Sequence, residues 1–169
     1  MIEMKLRSEL MPPVLDEEFV QRLASLADRL DGCQDEFENC DELLKQFNVE
    51  ANTNLQFDDF HGVYGGMEHE EFVRLILNTP FEKVIPDISY DELLELTKRV
   101  CNVEDISPAV DFWRSLLRKN VHSKIGDLIF GDTKKYFGDD APTPKQILDK
   151  ALSLEHPTAI PLPPSTLDL

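Results

Sequence analysis

The chain has 169 residues, 41% of them hydrophobic, with 33 acidic against 17 basic side chains and a formal net charge of −16. That much apolar material supports a packed core and excludes disorder over the whole length. So negative a chain repels phosphate backbones and anionic headgroups, which argues against direct binding to nucleic acid or to a membrane. The imbalance sits early: residues 1–85 carry −12 and residues 86–154 only −2. Apolar runs such as Leu75-Ile76-Leu77 are too short to cross a bilayer. Met1 to Val14 mixes charges with Pro12-Pro13 and lacks the apolar run of a signal peptide, so the sequence predicts a cytoplasmic protein. Three cysteines (Cys33, Cys40 and Cys101) without framework spacing predict free thiols behaving as small buried hydrophobes.

In chain order, Phe19, Leu23, Leu26 and Leu30 recur at helical spacing after the acidic start Asp16-Glu17-Glu18, and Gly32 ends the pattern. Phe37, Cys40, Leu44 and Phe47 predict a second helix, with Asn48 to Asn54 as a polar loop. Phe57 to Phe60 reads as one turn, and Gly62 to Gly66 cannot continue a regular element. A third long helix carries Phe72, Leu75, Ile76 and Thr79 and stops at Pro80. Residues 82–87 read as a connection between two subdomains.

Beyond it, Ser89-Tyr90-Asp91-Glu92 is a capping box, with Leu93, Leu96 and Val100 facing inward. Ser107-Pro108 starts the next helix, with Val110, Trp113 and Leu117 on one side. Phe112 and Trp113 point about 100° apart on a helix, and Trp113 is expected to be the core residue. Gly131 to Asp140 reads as a loop holding Tyr136 and Phe137, with a short hairpin around residues 130–137 as an alternative. Thr143-Pro144-Lys145-Gln146 repeats the helix-start device before Ile147, Leu148, Ala151 and Leu154. A Pro-rich tail follows His156 and is expected to be extended and mobile. The predicted class is all-α: an acidic helical region over 1–85, a helical bundle over 86–155, and the tail over 156–169.

Candidate chemistry is thin. Asp58, Asp59, His61, Glu68, His69, Glu70 and Glu71 crowd together, and carboxylate with imidazole suits zinc, manganese or iron. Glu68-His69-Glu70-Glu71 has no second histidine four residues on, and acidic side chains at a helix start have their own dipolar reason to be there. No GxSxG elbow and no phosphate-cradling loop is present. The residues point to a protein that binds another protein, not to an enzyme, and no cofactor or metal is expected.

Tyr90-Asp91-Glu92-Leu93-Leu94-Glu95-Leu96, Val100-Cys101-Asn102, His122 before Asp127-Leu128-Ile129-Phe130, then Asp139-Asp140 and Pro144-x-x-Ile147-Leu148 form one constellation. Over residues 86–154 it resembles the immunity proteins that neutralise DNase colicins and pyocins. The resemblance implies a distorted four-helix bundle with a very short third helix. It also implies a toxin catalytic domain, such as a basic nuclease, as the partner. Carried over, Asp127 would be the acid and Phe130 the first aromatic anchor; Asp111, Asp132 and Tyr136 are expected on the same partner-binding face from this chain's own residues, Tyr136 because it stands in a polar, glycine-flanked loop. Where the family has a second tyrosine and a proline, this chain has Gly131 and Asp132, and its second helix is basic toward Arg118-Lys119. Two other readings stand beside this one: an adaptor that binds an endogenous protein through the acidic N-terminal helices, and a metal-dependent enzyme built on Asp58, His61 and His69.

Overall fold

The computed structural model describes residues 4–33, 39–61, 67–102, 107–138 and 141–154, and for His61 the backbone alone. Phe37, the Gly62–Gly66 run, Asp139, Asp140 and the tail from residue 155 lie outside the described residues. What is described is all-helical, with no strand among the described residues. No helix among them is long and apolar enough to cross a membrane.

Helix α1 spans Glu17–Asp31, and its start follows from Asp16, whose carboxylate accepts the Glu18 and Phe19 N–H groups. Leu23, Leu26 and Leu30 are buried as their spacing predicts, while Phe19 packs at the edge under Arg22. Helix α2 spans Cys40–Ala51 and runs well into the stretch expected to be a loop. It continues because Asn52 closes it in the left-handed conformation (φ 53°) and because Asn48 braces the exit. The Asn48 side chain accepts the Thr53 hydroxyl and the Leu55 N–H and donates to the Leu55 carbonyl. The inward face of α2 is Cys40, Leu43 and Phe47, with Leu44 only half-buried.

The free-thiol expectation is corrected here: Cys33 and Cys40 are joined by a disulfide, their Cα atoms 6.0 Å apart. They do not share a helix. Cys33 follows α1 and Cys40 opens α2, and the two helices pack on each other with these residues side by side. Cys101 remains a free thiol, and burial pushes it up to about 11.

Helix α3 (Phe57–His61) places Phe60 between Phe47 and Phe72, with ring centroids at 5.0 and 5.5 Å, both edge-on. Helix α4 (His69–Asn78) packs on α1 through buried Val73, and Pro80 lies in a 3₁₀ turn, Thr79–Phe81, that ends it. Arg74 ties the pair by donating to Glu17 at 2.5 and 3.1 Å and to Glu70 at 2.7 Å. These four helices share the first core.

The second core is built from α5 (Tyr90–Cys101), α6 (Pro108–Asn120), α7 (Ile125–Phe130) and α9 (Pro144–Ser153), with α8 (Thr133–Phe137) beside α7. Both capping boxes form, Ser89 with Glu92 and Thr143 with Gln146. The Tyr90 hydroxyl, donating to Asp149 at 2.6 Å, ties α5 to α9. The hairpin alternative fails because residues 133–137 are helical. Asp132 caps that helix and Gly138 ends it at φ +68°, a device that needs no strand partner. On α6 the residue at the heart of the core is Phe112, not Trp113. Trp113 is half-buried and donates its ring N–H to the Leu10 carbonyl at 3.0 Å, with Arg99 across its ring face.

The opening segment belongs physically to this second core. Leu6 and Leu10, four residues apart, are buried in it. Arg7 reaches Asp87 and Glu92 at 2.9 and 3.0 Å. Ile85 is buried there too, its N–H donated to Asn120 at 2.7 Å. The two cores meet where α4 packs on α6.

Candidate protein-binding surface

Helix α7 buries Ile125 and Leu128 and packs half-buried Ile129 against the second core, while Asp127 and Phe130 are its exposed positions. The backbone enters it through a turn in which Lys124 N–H donates to the Nδ1 of buried His122 at 3.0 Å. Asp127 is exposed, and Phe130 is 49% exposed at the last position. An aromatic side chain that open, on a helix otherwise anchored by its neighbours, is the strongest departure from core logic in the second half.

Gly131 follows for a steric reason. A Cβ built there would lie 2.3 Å from the Asp127 carbonyl oxygen, whereas glycine has no such atom and its N–H donates to that same oxygen at 2.9 Å. Gly131→Ala is therefore expected to destabilise the protein by about 1–3 kcal/mol, as forced overpacking does. Comparing urea midpoints of the two proteins checks it; equal midpoints would show that the backbone yields freely.

Around Phe130 the residues from α6 and α8 are arranged unequally. Arg114 lies over the Phe130 ring at 6.0 Å and pairs with Asp111 at 2.9 Å, so Asp111, Arg114 and Phe130 form one run from α6 to α7. Asp132 is exposed, but its carboxylate is occupied in part by the Lys135 N–H at 3.2 Å. Tyr136 is exposed on α8 with the Lys135 ammonium 5.6 Å from its ring. Phe137, its neighbour, packs against the core. Arg114 is the residue that the sequence reading passed over. Its signal was available: three residues after Asp111, it is in ion-pair register on a helix.

On its other side the Asp111–Arg114 pair borders a cavity of about 570 Å³ between α4 and α6. Met67, Phe72, Leu75 and Ile76 supply apolar walls, and Asp59, Glu82 and Ser115 supply polar ones. Leu75 belongs to neither core among the described residues, so it is not the inward residue that the helical stripe predicts. Burial pushes the Glu82 carboxyl above its ordinary value, and the Ser115 hydroxyl and the Lys119 charge only partly offset this. A raised carboxyl contributes stability that is full below the ordinary glutamate range and is lost as pH rises through the raised value. Glu82→Gln is accordingly expected to be as stable as the parent in acid and more stable near neutral pH. Thermal melts across that pH range check this, and a variant that is less stable at neutral pH would contradict it.

Among the described residues no three His, Cys, Asp or Glu side chains are grouped to hold a metal ion. His69 Nε2 lies 3.7 Å from the Asp28 carboxylate, and Asp59 accepts the Gln56 N–H at 2.7 Å. The side chain of His61 lies outside the described residues. The molecule thus defined is an all-helical protein of two joined cores with an aromatic–acidic face on its short seventh helix. Compared with family models, with curated proteins and with solved structures, the chain matches none.

Proposed function

We propose that the chain is a protein-binding immunity protein, an antitoxin that holds the catalytic domain of a bacteriocin-type or polymorphic toxin in the producing cell. The observation that carries this is Phe130: half-exposed, at the end of a helix of six residues, next in space to Arg114 and one helical turn from Asp127. Interfaces draw most of their affinity from a few aromatic and charged anchors of that kind, and surrounding charge selects the partner. The bundle of α5, α6, α7 and α9, with α7 the shortest of the four, supports the colicin-immunity reading of residues 86–154. The site, not the fold, must bear the function.

Phe130→Ala and Asp127→Ala are each expected to weaken binding of the cognate partner by more than about 1 kcal/mol. The measurement is a titration of the partner recovered with the untagged protein from its own cells, and loss of the partner's toxic activity on mixing. Both variants binding like the parent, with helicity unchanged, would remove this face from consideration.

One observation favours a cytoplasmic adaptor instead. Val49 on α2 is 72% exposed, beside Arg29, Glu42, Lys45 and Glu50 around a second shallow cavity, in the acidic half of the chain. A housekeeping protein recovered in place of a toxin, and released by Val49→Asp but not by Phe130→Ala, would select that reading.

A further inference from the structure

The cavity between α4 and α6 has a composition that specifies an occupant. Its apolar wall is Met67, Phe72, Leu75 and Ile76; Phe72 and Ile76 also pack on the first core, while Leu75 does not. Leu75, half-buried and packed on neither core among the described residues, borders a volume of about 570 Å³, and an added apolar side chain there would cover the rest of its surface.

The charged wall is one-sided. Among the described residues Asp59, Glu82 and Asp111 line the space with one cation, Arg114, which already pairs with Asp111 at 2.9 Å. Lys119 also acts on the Glu82 carboxylate, and its ammonium donates to the Glu82 backbone carbonyl. Asp111, Glu82 and Asp59 each have a partner, but these three acids outnumber Arg114 and Lys119, so an anionic visitor would add negative charge to an already negative wall as water is displaced. A visitor with lysine or arginine flanking one or two large apolar side chains would satisfy both walls. The field of a chain at −16 would also steer it inward.

We infer that the α4–α6 groove receives a basic, apolar-anchored segment of the partner protein, its aliphatic or aromatic side chain against Leu75 and Met67 and its cations beside Asp59, Glu82 and Asp111. This rests on the reading that the chain binds a protein, and it names the chemistry of the segment bound. The groove adjoins the Phe130 face through Arg114, so a single partner spans both.

The test uses the full chain and three short synthetic helical peptides: lysine with leucine at i, i+4 spacing, the same with every leucine replaced by alanine, and the same with every lysine replaced by glutamate. Affinity is read by titration and the site by amide chemical shifts. The lysine–leucine peptide is expected to bind one-to-one, with shifts centred on Leu75 and Ser115. Each counterpart peptide and the variant Leu75→Lys should lower affinity at least about tenfold, roughly 1.4 kcal/mol, while Leu75→Met retains it and thermal melts show both variants folded. Equal binding of the lysine–leucine and lysine–alanine peptides would reduce the effect to diffuse charge and overturn the inference, as would an affinity unmoved by Leu75→Lys. A dimer that dissociates on Leu75→Lys would assign the groove to a second copy and overturn it equally. A tight partner complex insensitive to Leu75→Lys sinks the groove alone. Peptide binding in the groove, together with Phe130 and Asp127 variants inert toward the partner, sinks the preceding reading and leaves the groove standing.

Discussion

Replacing Phe112 by alanine is expected to destabilise the protein by about 3–5 kcal/mol, the range for truncating a fully buried aromatic residue. Phe112 has no exposed surface and belongs to the second core, with Leu96, Leu116 and Leu128 among its members. No polar atom is stranded by the change, so the cost is that of lost contact and an unfilled void. Trp113→Ala, one position on, is expected to cost less, about 1–3 kcal/mol. That sum covers one hydrogen bond to the Leu10 carbonyl and the Arg99 contact on the ring, each near 1 kcal/mol, plus partial burial. Urea titrations followed by circular dichroism rank the two. If Trp113→Ala proved the more damaging, the indole and not the phenyl ring would be the keystone of α6.

The second large effect concerns the link between α1 and α2. Cys33 and Cys40 are seven residues apart, and closing so small a loop restricts the unfolded chain by about 2.5 kcal/mol on the chain-entropy account. Cys33→Ser is expected to lower stability by about that amount, and a dithiol reductant should do the same to the parent but not to the variant. Counting alkylated thiols by mass gives the companion result. Unfolded without reductant, the protein should take up one label, on Cys101; after reduction, three. In the native state Cys101 should label slowly, because its thiol is pushed up to about 11 and little thiolate is present near neutral pH. Three labels without reductant would show the thiols to be free after all.

Helix starts were the most legible part of the sequence, because capping is a local interaction. Ser89 with Glu92, Ser107 with Pro108, and Thr143 with Gln146 each form as their spacing requires. Helix ends were less so. Asn48 to Asn54, with three asparagines, reads as loop, yet Asn48 and Asn52 hold the last turn of α2 by contacts that single-residue propensity does not encode. The disulfide was illegible for a similar reason: it depends on how α1 packs on α2, not on a motif. Of the candidate face, Asp127, Phe130, Asp132 and Tyr136 are exposed as a binding role requires, and Asp111 is held by Arg114. The groove beside them was not visible, since Leu75 lies within an apolar run that periodicity assigns to the interior. Only the placement of α4 on α6 shows that one residue of that run is left over.

Leu10 and Trp113 meet across 103 residues of chain. Contacts so distant along the chain close late in folding, and on a ribosome the segment holding Leu6 and Leu10 emerges long before the helices that bury it. Until then two leucines remain open to water and to chaperones. A tag or truncation ahead of residue 12 therefore acts on the far core, and excising residues 86–154 as a separate unit would remove part of its own interior.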